Sequence, residues 1–445
     1  MNRRKFLKAS AASGAGLLIL PSGVVSGKDA PSNKLNIALI GAWGRCCAHH
    51  GVMGRENVVA LCDIHEGNLG KAAKKFPNAK TYFDWRKLLD DKSLSLDAVV
   101  CCTTDHTHAH VGTWALNRDL HVYLEKPIGI SVEESRVTRQ KYLEKKHKCA
   151  TQIGTQRHAN PNFNRLREMV LDGAVGDLKS AYAWGNRKLH RPGYPKGAGE
   201  PPKEIHYDLW IGPSPMHPYS PEYFKGRPGA NCLQWNMYWD FGTGQIGDMG
   251  SHTMDLAWNC LDAKHATAAY ASGDEFNPEV TPVKLEMHME HPGNDWRGPI
   301  KVHWYQGGAM PNTPSGWMDL RKIGHGAMFK GDKGFIVADF GKRHLIPYGD
   351  EADLSYYKPR PESERIPNLG GFQDEWIRAC KGDTTKTTCN FDYAGLANEQ
   401  MMLGLIAYRV GEKVEYDGEK GVITNSPEGN ALIKRKYRDG WPLDG

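Results

Sequence analysis

The chain lacks any apolar run long enough to span a bilayer: its small-residue stretch from Ala9 to Leu20 falls short of the ~20 residues a membrane helix needs. It has no Cys-x-x-Cys pair, and the adjacent pairs Cys46-Cys47 and Cys101-Cys102 are poorly placed to chelate one zinc ion, so no metal site is expected. Beyond the N-terminus there is no dense basic run. Of the formal charge of +6, Arg3, Arg4, Lys5 and Lys8 supply four in a segment without an acid before Asp29, which leaves no electrostatic case for binding nucleic acid. Internal repeats and low-complexity tracts are also missing, which argues against a solenoid or a disordered scaffold. The chain holds ten cysteines in 445 residues, but one this large needs no disulfide framework, and buried free thiols are expected.

What is present is the composition of an ordinary soluble protein, 40% hydrophobic and 24% charged, with length for about two domains. Residues 1–33 read as a signal and linker. Asn2-Arg3-Arg4-Lys5-Phe6-Leu7-Lys8, the apolar stretch and Pro21 resemble a twin-arginine export signal, cleaved near Ser26 although no clean Ala-x-Ala site is present. The expected location is periplasmic or secreted, with no stable membrane insertion after cleavage. That route carries folded proteins with cofactor already bound.

From Lys34 the sequence turns to nucleotide-binding patterns. Leu35-Asn36-Ile37-Ala38-Leu39-Ile40-Gly41 is a short apolar run ending in glycine, as a buried parallel strand does. A second strand, Val58 to Cys62, ends at Asp63, 22 residues after Gly41. At that spacing an acid bonds the adenosine ribose hydroxyls, and a carboxylate favours NAD over NADP because it repels a 2′-phosphate. The glycine fingerprint is incomplete, since its three positions read Gly41, Trp43 and Cys46, with Gly44 nearby. The strand Leu96 to Cys102 leads into Thr103-Thr104-Asp105-His106-Thr107-His108. His106, His108 and His110 alternate as metal ligands can, but entry into a helix would point the imidazoles apart. The strand His121 to Leu124 delivers Glu125-Lys126-Pro127, placing an ammonium at the ligand-binding edge of a parallel sheet.

Far downstream, Gly247-Asp248-Met249-Gly250-Ser251-His252 places a carboxylate and an imidazole four residues apart, on one face of a helix. This pair suits a catalytic base whose ring an acid orients. A capping aspartate and a core histidine are the plainer alternative.

With these residues in hand the chain resembles the Gfo/Idh/MocA oxidoreductases, from about Leu35 almost to the C-terminus. Glu125-Lys126-Pro127 matches the family's lysine motif, Asp248 and His252 its Asp-x-x-x-His pair, and Thr104, Asp105 and His108 its Thr-Pro-Asn-x-x-His loop with Thr for Pro and Asp for Asn. The resemblance implies an α/β fold: a Rossmann doubly wound parallel sheet in 34–157, then an α/β domain in 158–445 with a large open, mainly antiparallel sheet often used for homo-oligomer contacts, in a dimer or tetramer. It implies bound NAD. The cofactor contacts expected are Gly41, Trp43, Gly44, Arg45, Asp63, Thr103, Thr104, Asp105, His108, Glu125, Lys126 and Gln156, the last on the strand Cys149 to His158 that passes beside the nicotinamide.

The second half is richer in aromatics. Arg187 to Asn236 shifts to Pro, Gly and aromatic residues without helical period and reads as an ordered surface loop. Arg157, Trp210, Trp235 and Trp239 are the expected substrate contacts, since aromatic faces beside polar groups suit carbohydrate rings, though loops also use Trp to pack themselves down. The catalytic set expected is Lys126, Asp248 and His252, with Asp248 orienting His252. The favoured function is transfer of hydride between a sugar, glycoside or polyol carbinol and tightly bound NAD. An NAD-dependent glycosidase acting through transient C3 oxidation is the alternative, needing a further base among Tyr182, His190, Tyr223 and Tyr238. A non-catalytic carbohydrate-binding protein on a decayed nucleotide fold is the third reading, motivated by Trp43 and Cys46.

Overall fold

Ile37 to Ile40 are apolar on both faces, which only a strand covered on both sides can bury, and they form the heart of β1 (Asn36–Ile40). The computed structural model describes residues 33–445 except 228–229, 315, 317, 350–352 and 385; the expected export signal lies outside the described residues. Around β1 assemble β2 (Asn57–Cys62), β3 (Lys80–Tyr82), β4 (Ala98–Cys101), β5 (His121–Leu124) and β6 (Thr151–Ile153). Their order is β3-β2-β1-β4-β5-β6, all parallel. The topology therefore reverses between β1 and β4, where an open α/β sheet leaves a crevice at its strand ends.

Helices α1 (Glu66–Lys75), α2 (Asp105–Asn117) and α3 (Val132–Lys145) cross between the strands. Local chemistry fixes their starts. Ser131 accepts from the Glu134 backbone N–H at 3.1 Å while the Glu134 carboxylate reaches back to the Ile130 N–H at 2.6 Å, a variant of the reciprocal cap that satisfies orphan donors at a helix start.

After α4 (Pro161–Leu171) a second sheet begins with β7 (Leu178–Gly185), then β8 (Ala268–Gly273), β9 (Leu285–His291), β10 (Ile300–Gln306), β11 (His325–Gly331), β12 (Gly334–Ala338), β13 (Arg343–Pro347), β14 (Val414–Asp417) and β15 (Val422–Ile423). The order is β13-β12-β11-β7-β10-β9-β8-β14-β15, antiparallel throughout except for the parallel pair β7/β10. Alternation is clean in β9, where Leu285, Met287, Met289 and His291 are buried and Glu286, His288 and Glu290 are not. The buried face packs on α5 (Ser251–Trp258) and α7 (Phe391–Val410). The opposite face carries an aromatic band, with Tyr182 stacked on His303 at 4.5 Å and Tyr270 on His288 at 4.4 Å.

Segments from the end of the chain return to the first domain. Phe372 and Trp376 of α6 (Phe372–Cys380) and the distant Trp441 enter the core around β1, and Gln152 donates to the Phe372 carbonyl at 2.7 Å. All ten cysteines are free thiols. Among the described residues no helix is long and apolar enough to cross a membrane.

Candidate active site

A cleft of about 420 Å³ opens at the carboxyl ends of the parallel strands, where β1 and β4 diverge. Its floor is the turn after β1. Gly41 has φ +73°, and a Cβ there would stand 2.6 Å from the Cys102 carbonyl oxygen, so only glycine fits. Gly44 also has positive φ, supplying part of the freedom that the missing glycines would have given. Trp43 lies between them and donates its backbone N–H to the Asp63 carboxylate at 3.3 Å.

Asp63 stands at the end of β2, receives a second backbone N–H from His65 at 3.0 Å, and has its pKa pushed up to about 6 by burial. Thr103 and Thr104 form the lip after β4. Asp105 opens α2 buried, its pKa pushed up to about 8 by burial against the opposing pull of Lys126. At neutral pH it is therefore a neutral acid able to donate a hydrogen bond, as the amide of an asparagine would. His108, its ring against the Pro127 and Thr103 carbonyls at 2.7 and 3.2 Å, ties this loop to the lysine turn.

Lys126 leaves β5 and places Nζ 2.9 Å from Asp248 Oδ1. Burial works against its charge, but Asp248 beside it holds its pKa above the ordinary lysine value. Burial likewise opposes the Asp248 anion, yet Lys126 and Arg187 keep its pKa below the usual range. His252 lines the same cleft, buried, its pKa pushed down to about 3 by burial and by the Lys126 charge. It is thus a neutral imidazole, and its Nδ1 has no partner. Gln156 also reaches the cleft, with a buried, unpartnered Oε1.

Several expectations need correction. Asp248 does not orient His252: among the described residues no side-chain hydrogen bond joins them. Ile246–Gly250 is a turn of π-helix, and its wider winding breaks the four-residue register that a regular α-helix would have kept. The carboxylate turns to Lys126 and Arg187 instead. Glu125 lines the cleft, but its carboxylate is spent inside the protein on Arg45 Nε and His49 Nε2, each at 2.8 Å.

Trp239 lies elsewhere. Tyr238 bridges Val280 in extended conformation, so neighbouring side chains point to opposite sides. Trp239 faces a separate cavity of about 250 Å³, bonded to the Asn277 carbonyl and lying under Arg409. Trp210 and Trp235 do line the cleft, yet they belong to a buried aromatic cluster in the Arg187–Asn236 loop, and Tyr207 stacks on Trp210. Arg157 sits beside the cleft residue Gln156 with its guanidinium 4.2 Å from the Phe340 ring, and does not line the cleft itself. None of Tyr182, His190, Tyr223 and Tyr238 lines the cleft, which removes the further bases considered for a glycosidase.

Residues not foreseen are Arg187, His49 and Cys232. Cys232 lines the cleft near Asp248 and Lys126. Arg187 stands two residues beyond β7, and a cation just past a strand end is the one signal that pointed to it. Behind His252, one further turn of α5 carries Asp255, which meets His158 Nδ1 at 3.1 Å and the Tyr393 hydroxyl at 2.6 Å. Cys389 completes a trio with metal-like spacing, but His158 is bonded to Asp255 and the Cys389 sulfur accepts from the Thr155 hydroxyl.

A nucleotide crevice in a parallel sheet here adjoins a buried lysine, carboxylate and imidazole, the arrangement of a nicotinamide-nucleotide site beside acid-base groups. Residues 35–155 match the family model "Oxidoreductase family, NAD-binding Rossmann fold", and residues 181–271 match "Oxidoreductase family, C-terminal alpha/beta domain". These two stretches make the chain similar to the Gfo/Idh/MocA oxidoreductases, and its first domain is an NAD-binding Rossmann domain. Inositol 2-dehydrogenase of Salmonella typhimurium is 31% identical over 121 residues, 27% of this chain and 35% of that protein. Myo-inositol 2-dehydrogenase of Thermotoga maritima is 29% identical over 117 residues, 26% and 34%. The chain thus spans about a third of the length of these curated relatives. Among solved structures, the WlbA dehydrogenase of Bordetella pertussis in complex with NADH and UDP-GlcNAcA shares the fold at TM-score 0.59 and 14% identity, covering 86% of this chain and 99% of that one. Levoglucosan dehydrogenase in complex with NADH does so at 0.55 and 15%, covering 86% and 99%.

The residues present fit NAD. Gly41 leaves a cradle that a Cβ would fill, Asp63 stands at the ribose position, and Gln156 Oε1 is a buried acceptor without a donor. Asp63→Ala should weaken NAD binding about ten- to hundredfold, the scale of hydrogen bonds to a charged group. Wild-type affinity should also fall as pH drops through about 6, because protonation removes an acceptor. Titrating the protein with NAD at pH 5 and pH 7.5 checks both; equal affinities at the two pH values, or an unaffected variant, would remove Asp63 from the ribose site.

Proposed function

We propose that the protein oxidises one carbinol of a sugar, glycoside or polyol, using NAD that stays bound through the cycle. The observation that carries this reading is the Lys126–Asp248 pair at 2.9 Å beside a neutral His252 in the NAD cleft. NAD supplies the hydride acceptor when bound. His252, neutral, takes the hydroxyl proton on a ring nitrogen. Lys126, held charged by Asp248, faces the oxygen on which negative charge grows and stabilises it. Asp248 positions Lys126 and Arg187 rather than His252. The buried aromatic cluster around Trp210 and Trp235 walls this end of the cleft from water.

The same reading places the protein outside the cytoplasm, delivered folded by the Arg3-Arg4 signal with NAD aboard, and pairs two or four copies through the aromatic face of the second sheet. Protein recovered from a periplasmic fraction and then denatured should release about one NAD per chain, read from the absorbance of the supernatant. An empty site would favour a carbohydrate-binding protein instead. Incubation with aryl glycosides in deuterated water separates the two chemistries. A keto-sugar with reduced cofactor supports the oxidoreductase, whereas aglycone release with deuterium at C2 and no net reduction would replace it by the glycosidase.

A further inference from the structure

The cavity of about 250 Å³ that Trp239 faces shares no lining residue with the NAD cleft. One of its walls is a single face of α7, on which Met402, Leu405, Ile406 and Arg409 follow one another at helical spacing. Three are apolar and the last is a cation. The Arg409 guanidinium lies over the Trp239 ring, 5.1 Å from its centre. Ser131 and Val132 at the start of α3, and Lys434, Arg435 and Lys436, line other parts of the space.

Charge in this wall is one-sided, with four cations and a single carboxylate, Asp240. Lys434 is met by Glu133 at 3.3 Å and Arg435 by Glu134 at 2.8 Å. Asp240 is held by the His217 ring at 2.8 Å and the Tyr194 hydroxyl at 3.1 Å. Arg409 and Lys436 are left, neither with a hydrogen-bond acceptor or ion-pair partner among the described residues. Lys436 is exposed, so water satisfies it. Arg409 is not so placed, because its Nε is buried without a partner. A cation in the last turn of a helix gains from the helix dipole, and an arginine stem packs well on an aromatic ring. Neither gain supplies an acceptor for the buried N–H, and an unmet buried donor is costly. Thr243, 3% exposed in the same wall, also has an unpartnered Oγ1.

We infer that this cavity is a second binding site, for a small organic acid whose carboxylate meets Arg409 and whose apolar body lies between Trp239 and the Met402, Leu405 and Ile406 face. A guanidinium fork matches a carboxylate in shape as well as charge. Asp240 in the wall opposes a second negative charge, which favours a monoanion over a phosphate. The apolar face calls for a body, since a bare anion would leave those side chains against water. A space of about 250 Å³ admits one ring with a short acid chain and excludes a dinucleotide, so NAD is not the occupant. The site stands behind the catalytic pair without opening onto it. Thr243 separates the two: a Cβ on Gly247, next to Asp248, would come 2.1 Å from its Oγ1 and 3.5 Å from the Pro127 ring.

The full chain saturated with NADH is titrated calorimetrically with 3-phenylpropionate and indole-3-acetate, with the amide of each, with phenyl phosphate and with acetate. At least one aromatic acid should bind about tenfold or more tighter than its amide, the scale of a charge-assisted hydrogen bond, and tighter than acetate. Arg409→Met keeps an apolar stem over Trp239 and should remove the preference for the acid. Trp239→Leu should weaken acid and amide alike, and Lys126→Met should leave both unchanged. Thermal melts and NADH affinity show that the variants are folded. Equal binding of acid and amide, no saturation by either acid at millimolar concentration, or a preference that survives Arg409→Met overturns the assignment. So does a preference lost in Lys126→Met, which would put the acid in the NAD cleft, and phenyl phosphate binding tighter than both acids would overturn the carboxylate. None of these results bears on the proposed carbinol oxidation, which uses neither Arg409 nor Trp239.

Discussion

Replacing His252 by alanine is expected to lower turnover at least ~100-fold, and Lys126 by methionine ~100- to 1000-fold, the ranges for loss of a positioned base and of an oxyanion donor. NAD retention should change little in the His252 variant, because the ribose and pyrophosphate ends of the cleft lie with Asp63 and Gly41. The pH dependence is the sharper signature. A base must be unprotonated to work, and burial with the Lys126 charge pushes the His252 pKa down to about 3 in the free enzyme. It is therefore ready at every pH at which the protein stays folded, and kcat/KM should show no acid limb near 6.5, the ordinary histidine value. Lys126 stays charged to high pH, so it adds no basic limb near neutrality either. Steady-state rates from pH 5 to pH 9 at saturating NAD check this. Near wild-type rates in both variants would remove the pair from the reaction, and an acid limb at 6.5 that vanished in His252→Ala would show that the imidazole is not held neutral.

The parts of this site legible in the sequence were those that a strand end fixes. Gly41, Asp63 and Lys126 each follow an apolar run, and a parallel sheet places all such ends on one edge, so three residues spread over 85 positions could be brought to one cleft from local pattern alone. Helical spacing served less well, because Asp248 and His252 belong together only if the helix is regular, and the π-turn sends the carboxylate to Lys126. Arg187 lay 61 residues from Asp248 in a stretch without period, and only its place just beyond a strand end hinted at the contact. Trp239 was misplaced because composition shows that aromatics cluster but not which side of an extended segment each faces. The second sheet was legible as strands, yet its order depends on the parallel pairing of β7 with β10, and the return of α6 to the first domain was not legible either. Both are long-range contacts set by packing rather than by neighbours in sequence.

Glu125→Ala is expected to cost about 3–5 kcal/mol of stability at pH 7, the range for removing one partner of a buried ion pair. Its Oε1 receives both Arg45 Nε and His49 Nε2, with His49 fully buried and Glu125 nearly so. Burial works against charge on His49, but Cys102 and Glu125 raise its pKa to about 9. Burial also pushes the Cys102 thiol far up, so that group is neutral at pH 7 and Glu125 is the anion that holds the proton. The carboxylate cannot be replaced by solvent without rearrangement, since Gly154 packs against it and even a Cβ there would come within 2.7 Å of Oε2. The pH dependence follows from the sign of the shift. A histidine whose folded pKa lies above its unfolded value near 6.5 stabilises fully below 6.5, and the contribution disappears as pH rises through about 9. Wild-type stability should therefore decline between pH 7 and pH 9.5, the variant should stay nearly flat, and the gap between them should narrow. Urea unfolding of the NAD-free protein at both pH values measures it. Were Glu125 chiefly a cofactor ligand, as its sequence motif suggested, the variant would lose NAD affinity while the NAD-free protein kept its stability to within about 1 kcal/mol, and that result would overturn the structural role assigned to this carboxylate.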